Sequence, residues 1–389
     1  MHNVDIAIVG GGMVGLALAA LLRDSAFSVA VINRSRNARE LESITEPRVS
    51  ALNLASQQML VAVGAWPLIA HQRACEYTHM HVWEKDSFAN IHFANEDIQH
   101  SHLGTIVENQ NIVNALHHVV SQQQNVSVFE NTEIERLSIS EEAAVISFNC
   151  GDLLTAKLVV GADGAESLVR KQVQLPMTFW SYDQAAIVAT VETTETHGDT
   201  ARQAFTPTGP LAFLPLADKS QCSIVWSQDT EQADRLMALD DEEFCEALSV
   251  AINTALGPCK LLTSRVKIPL TMRYVRQWLA PRAVVIGDAA HTIHPLAGQG
   301  VNLGFQDSIA LAKALSAIER EALGQVKGLR SFERERKSEA AKMIATMEAF
   351  KQLFAGDDPI KKLIRGVGMQ CFDSLTPIKR TLIQQAMGA

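Results

Sequence analysis

The stretch Val4-Asp5-Ile6-Ala7-Ile8-Val9-Gly10-Gly11-Gly12-Met13-Val14-Gly15 runs from strand-forming residues into a cluster of glycines, and an apolar segment follows to Leu22. A strand over Asp5 to Val9, a helix over Met13 to Leu22 and a second strand over Ser28 to Ile32 form a βαβ unit of Rossmann type. Gly10, Gly12 and Gly15 fit G-x-G-x-x-G at the turn. Without side chains the backbone turns tightly and approaches a pyrophosphate, whose charge is met by the helix N-terminus. An ordinary tight βα turn would not need three consecutive glycines. The spacing therefore points to a bound dinucleotide.

The second strand ends in Asn33-Arg34, where dinucleotide folds commonly carry an acid for a ribose hydroxyl. Asn33 can both donate to and accept from a hydroxyl. Arg34 offers the alternative of a contact with the 2'-phosphate of NADP.

Farther out, the pattern alternates between the two kinds of segment. Short alternating runs such as His79-Met80-His81-Val82-Trp83 predict strands of a different sheet. A helix is expected from about Asn111 to Ser121. Beyond it, Phe213-Leu214-Pro215-Leu216 and Cys222-Ser223-Ile224-Val225-Trp226 read as paired strands, and Ala283 to Ile286 as a buried strand before a long helix from about Val301. The expected organisation is α/β and interleaved. Residues 1–72, 104–184 and 269–340 make a Rossmann-type cofactor domain, 73–103 and 185–268 a β-sheet substrate domain, and 341–389 a set of C-terminal helices.

The 389 residues suffice for two connected domains with a sizeable core. A formal net charge of -9 and the lack of a Lys/Arg-dense run argue against nucleic acid as a partner. The cysteines Cys75, Cys150, Cys222, Cys245, Cys259 and Cys371 include no C-x-x-C pair and read as reduced structural thiols. The start of the chain is a strand pattern without a basic leader, and the apolar stretch Met13 to Leu22 is too short to span a bilayer. A cytoplasmic protein is expected.

Two further motifs name the cofactor. Lys157-Leu158-Val159-Val160-Gly161-Ala162-Asp163-Gly164, with Arg170 shortly after, is a strand ending in G-A-D-G. Val284-Val285-Ile286-Gly287-Asp288-Ala289-Ala290-His291-Thr292-Ile293-His294-Pro295-Leu296-Ala297-Gly298-Gln299-Gly300-Val301-Asn302 is longer and more specific. With the glycine loop before them, these two resemble, in order, the signatures of the FAD-dependent aromatic hydroxylases. The resemblance implies FAD, with Asp163 bordering it, Asp288 meeting the ribityl chain, and Pro295 and the Gly298, Gly300, Val301 and Asn302 backbone passing the isoalloxazine. A helix starting near Val301 would aim its positive end at the flavin. Only one G-x-G-x-x-G is present, so NAD(P)H is expected to dock transiently, near Asp163 and Arg170.

Within that family the chain is most similar to the hydroxylases of ubiquinone biosynthesis, in particular those acting on 2-polyprenylphenols. Pro47-Arg48-Val49-Ser50-Ala51-Leu52, Val82-Trp83-Glu84-Lys85-Asp86-Ser87-Phe88, Ile106-Val107-Glu108-Asn109, Leu175-Pro176-Met177-Thr178-Phe179-Trp180 and Ala212-Phe213-Leu214-Pro215-Leu216 carry the likeness. It implies flavin contacts for Arg48 and Asn109; the bland role for Arg48 is a surface ion pair. It also implies that NAD(P)H and O2, through FAD, place a hydroxyl on the ring of a polyprenylated phenol. No side-chain base singles itself out, and His291, His294 and Pro295 are candidates by position alone. The alternatives are a flavin monooxygenase of another apolar aromatic compound and a non-catalytic FAD-binding subunit of a biosynthetic complex.

His79, His81, His92, His100 and His102 cluster in sequence but supply no third convergent metal ligand, so no metal is expected. From residue 341 on, seven basic residues face four acidic ones. Such a stretch is commonly a solvated face. A bilayer-resident substrate adds a second reading, in which it docks peripherally on the inner membrane surface or on other ubiquinone-biosynthesis proteins. Whether the chain forms a homo-oligomer stays open.

Overall fold

The computed structural model describes residues 1–69, 73–85, 87, 90–293 and 300–354, with side chains to residue 349. The expected opening unit is present as the strand His2–Val9, the helix Met13–Leu21 and the strand Val29–Ile32. Val29–Ile32 is buried along its whole length, and the helix buries every residue from Gly15 to Ala20. Both faces of this sheet are covered, which is why its strands are continuous apolar runs and not alternating ones.

His2–Val9 lies between two parallel neighbours, Leu153–Gly161 and Val29–Ile32. Val126–Phe129 extends the sheet beyond Val29–Ile32, and Ala283–Val285 pairs in parallel with Leu153–Gly161 on the other side. The strand ends carrying the glycine loop, G-A-D-G and G-D-A-A-H therefore lie side by side. That places all three motifs at the carboxyl edge of one parallel sheet, where α/β proteins bind ligands.

A second, nine-stranded sheet is organised around the long strand Met177–Thr193, which pairs antiparallel with Gln221–Asp229 and Val266–Val275. Phe213 stands opposite Ile224, so the two segments expected to pair do so. His79–Glu84 joins this sheet beside Thr200–Thr206. One face packs on the helices Thr230–Ala238 and Asp241–Ala251 through Trp226, Phe244 and Leu248. The opposite face carries Tyr182, Ala186, Val188, Leu270 and Met272.

The segments interleave more finely than the expected boundaries suggest. Met177–Thr193 runs unbroken through the 184/185 limit, and Val266–Val275 runs through 268/269. Ala74–Tyr77 pairs with Gly104–Glu108 in a three-stranded sheet completed by Val49–Leu52, outside the large sheet. Long strands bridge the two halves because their ladders resume across the junction: the bulge between Ser181 and Gln184, with Asp183 at φ +53°, shifts the register without ending the pairing. The C-terminal part begins as the helix Val326–Phe354, and residues 355–389 lie outside the described residues.

Candidate functional site

The glycine loop owes its shape to two close approaches. A Cβ on Gly10, at φ +113°, would lie 2.3 Å from the Ala162 carbonyl oxygen, and one on Gly15 would lie 2.0 Å from the Gly10 carbonyl oxygen. Only hydrogen fits at either place. Gly12 is different, because among the described residues a Cβ there would meet nothing within 4 Å. The helix beginning at Met13 has no side-chain cap, so its first N–H groups face that open space. An uncapped helix start over an empty cradle fits a pyrophosphate.

Asn33 stands beside the loop, accepting from the Gly11 N–H (3.4 Å) and donating to the Ser35 carbonyl (2.8 Å). Arg34 points outward, 84% exposed and 3.6 Å from Glu133. Asp163 accepts from the Leu168 and Val169 N–H groups through Oδ2, at 2.6 and 3.3 Å, and so caps the short helix Leu168–Gln172. Its other oxygen, Oδ1, is buried without a hydrogen-bond partner among the described residues and is available as an acceptor.

Arg170 departs from the expectation of a docking group for the reductant. It is 3% exposed, and its guanidinium donates to the Ala165 carbonyl (2.6 Å) and the Ala289 carbonyl (3.0 Å). The charge is spent inside the protein, tying the second motif to the third.

In the third motif the chain leaves the strand Ala283–Val285, turns at Gly287 with φ +59° and pairs His291–Thr292 with Arg273–Tyr274 at the edge of the large sheet. Asp288 is solvent-accessible, yet so enclosed by protein atoms that burial pushes its carboxyl up, against the pull of His291, Arg48 and Arg273. Arg48 is exposed and acts on Asp288; no surface ion pair holds it among the described residues. Its neighbour across the three-stranded sheet is Asn109, whose N–H donates to the Arg48 carbonyl (3.0 Å) and whose Oδ1 accepts from Ser50 (2.6 Å).

In the helix Gly300–Ser316 no described residue comes within 4 Å of a Cβ placed on Gly300, and Val301 is half-buried. The Asn302 side chain is spent on the Asn53 N–H (3.2 Å) and the Ala51 carbonyl (2.9 Å), so only its backbone can serve a ligand. His294, Pro295 and Gly298 fall outside the described residues. His291 is 3% exposed with Nε2 2.6 Å from Asp307 Oδ2, which makes it a buried partner and not a group facing a substrate.

Asp307 and its second partner Arg336 were not singled out from sequence. An acid on the apolar helix Gly300–Ser316 was the available signal; Arg336 sits in the charge-rich run Glu333 to Lys337, which reads as a solvated face.

The clustered histidines go separate ways: His81 stacks on His92 at 3.9 Å, and His102 bonds Gln57 and Ser101, both at 2.8 Å. Ligand-type atoms of Cys75, His197 and Asp199 do lie within 4.8 Å of one another. There the Lys219 ammonium already occupies Asp199 at 2.5 Å, and both ring nitrogens of His197 have partners. The Cys75 thiol is pushed up to about 12, by burial first and by Asp199 second.

Residues 3–347 match the family model described as "FAD binding domain". The chain is 32% identical over 387 residues to the 3-demethoxyubiquinol 3-hydroxylase of Escherichia coli, covering 99% of this chain and 98% of that protein. It is 32% identical over 430 residues to the mitochondrial ubiquinone biosynthesis monooxygenase COQ6 of Danio rerio, covering 97% and 88%. Among solved structures, p-nitrophenol 4-monooxygenase PnpA from Pseudomonas putida superposes with a TM-score of 0.83 at 18% identity, covering 100% and 99%. PqsL from Pseudomonas aeruginosa gives 0.79 at 22%, covering 95% and 100%. The names of the sequence relatives point to ubiquinone hydroxylases in general and do not single out the 2-polyprenylphenol group.

Proposed function

This chain belongs to the FAD-binding aromatic hydroxylase family, and from that premise we propose that it hydroxylates the ring of a polyprenylated phenol or quinol in ubiquinone biosynthesis. FAD held here would supply the redox chemistry of a monooxygenation, in which NAD(P)H provides two electrons, one atom of O2 enters an electron-rich ring and the other leaves as water. The protein's own residues hold and orient. The Gly12 cradle and the uncapped helix at Met13 would take the pyrophosphate, Asp288 and Arg48 would border the flavin, and the start of the Gly300–Ser316 helix would favour negative charge on the reduced ring.

The observation that carries the substrate class is end-to-end likeness, at 32% identity over 99% of the chain, to a 3-demethoxyubiquinol 3-hydroxylase. The apolar face of Tyr182, Ala186, Val188, Leu270 and Met272 supports it, because Tyr274 on the same strand as Leu270 pairs with His291 of the flavin motif. Among the described residues no helix is long and apolar enough to cross a membrane. We propose that contact with the bilayer, or with a protein that presents the lipid, involves the basic C-terminal stretch from residue 341 on.

Complementation separates the possibilities. The gene is expressed in strains each lacking one ring hydroxylation, and the accumulated intermediate is identified by mass. Restored ubiquinone in one strain names the ring position. Failure in every strain, with a flavin-loaded protein present, refutes the pathway assignment.

A further inference from the structure

Gly287 to His291 is held by the same carboxylate at both ends. Asp307 Oδ2 accepts from the Gly287 N–H at 3.0 Å and lies 2.6 Å from His291 Nε2, while Oδ1 accepts from Arg336 Nε at 2.8 Å. Between the two pinned ends, the Ala289 carbonyl accepts from Arg170 at 3.0 Å. Every anchor of the turn is buried: Asp307 is 0%, His291 3%, Arg170 3% and Arg336 5% exposed. The remaining polar side chain of the turn, Asp288, is exposed to solvent.

A buried carboxylate costs several kcal/mol unless paired and fully hydrogen-bonded. Burial by itself would raise the Asp307 carboxyl, but His291 and Arg336 beside it hold it below the usual carboxylate range. A charged group kept so far from water, where an apolar residue would pack on the helix at less cost, has a geometric task. Its three donors arrive from the turn start, the turn end and the helix Val326–Phe354, so the direction of Asp288 is fixed by a helix more than forty residues along the chain.

We infer that Asp307, clamped by Arg336, is the positioning residue that aims Asp288 and the Gly287–His291 turn at the flavin. The inference rests on the reading that Asp288 borders FAD. The helix bearing Arg336 also packs Phe332 on Trp278 (6.2 Å), which lies 5.2 Å from His291, so ionic and aromatic contacts from one helix bear on one turn. A carboxylate has lone pairs for all three donors, whereas an amide turned to serve Gly287 and His291 presents its NH2 to the Arg336 guanidinium.

The test uses the full-length protein, stripped of flavin and titrated with FAD. Wild type, Asp288→Ala, Asp307→Asn, Arg336→Met and Arg336→Lys are compared for FAD affinity, visible-region circular dichroism of the saturated flavin, and melting temperature without FAD. Asp307→Asn and Arg336→Met are expected to raise the FAD dissociation constant at least tenfold and to alter the dichroism of flavin that does bind. Arg336→Lys, which returns a cation to Oδ1, is expected to stay within threefold of wild type with the wild-type spectrum. If Asp307→Asn does not fold, the two Arg336 variants decide. Normal FAD affinity and an unchanged flavin spectrum in Arg336→Met or Asp307→Asn overturn the inference, while loss of FAD from Asp288→Ala alone leaves the cofactor-site reading standing. An unaffected Asp288→Ala removes that reading as well.

Discussion

Gly10 and Ala162 stand back to back, so close that a side-chain carbon on Gly10 would come within 2.3 Å of the Ala162 carbonyl oxygen. Gly12, two residues on, has nothing within 4 Å of the same position. Two alanine substitutions therefore separate folding from ligand binding. Gly10→Ala should lower the melting temperature or prevent folding, since φ +113° and the Ala162 backbone both oppose it. Gly12→Ala, at φ -77°, should fold with a melting temperature near wild type yet purify with little flavin, because the methyl occupies the cradle. Yellow, fully loaded Gly12→Ala protein would place the pyrophosphate elsewhere.

Gly304 meets the first motif from the other side. A Cβ there would lie 2.6 Å from Val14 Cγ2. Gly304→Ala should cost about 1–3 kcal/mol by forcing two helices apart. Val14→Ala in the same chain should return part of that loss, and denaturant unfolding of both singles and the double gives the coupling. Strict additivity would mean the helices do not meet here.

Arg170 satisfies two buried carbonyls, so Arg170→Met should destabilise the fold by about 2–4 kcal/mol. Its flavin affinity should fall with the loss of the Ala289 tether. For the folded fraction, KM for NAD(P)H should stay within twofold of wild type. A raised KM with unchanged melting would return Arg170 to the role of docking the reductant.

Asp5 anchors the first strand to Arg320 at 2.6 Å and Lys157 at 3.2 Å. Burial alone would raise its carboxyl; Arg320, the Ser28 N–H and hydroxyl, and Lys157 outweigh it and hold the carboxyl well below the ordinary value. A depressed folded pKa contributes stability above the unfolded pKa of about 3.9 and loses it as the pH falls toward the folded value. Asp5→Asn should therefore be less stable than wild type by about 1–2 kcal/mol at pH 7, a modest figure because Lys157 and Arg320 are 42% and 52% exposed. Below about pH 4 the difference should shrink. A gap that widens in acid would contradict the pairing.

The βαβ opening, the pairing of the Phe213 and Cys222 segments and the cofactor motifs were legible because each is written in consecutive residues, as periodicity, glycines or a signature. The strand Met177–Thr193 was harder to place, since the bulge at Asp183 (φ +53°) bends the ladder without ending it, and a bulge and a boundary look alike in sequence. Arg170 and His291 looked like groups available to ligands from their place beside signature glycines; their burial against Ala289 and Asp307 belongs to the folded chain.

Sequence by itself determined that a dinucleotide fold opens the chain, because a backbone that must approach a phosphate demands glycine at fixed spacing, and the resemblance of the second and third motifs to the aromatic hydroxylase signatures named FAD as the ligand. Tertiary structure alone decided which charges face outward and which are spent inside. Asp288 and Asp307 are both acids within one apolar region of sequence, and the burial of Asp307 under hydrogen bonds from Gly287, His291 and Arg336, against the exposure of Asp288, tells them apart. Those partners lie many residues away, so no local pattern encodes the distinction.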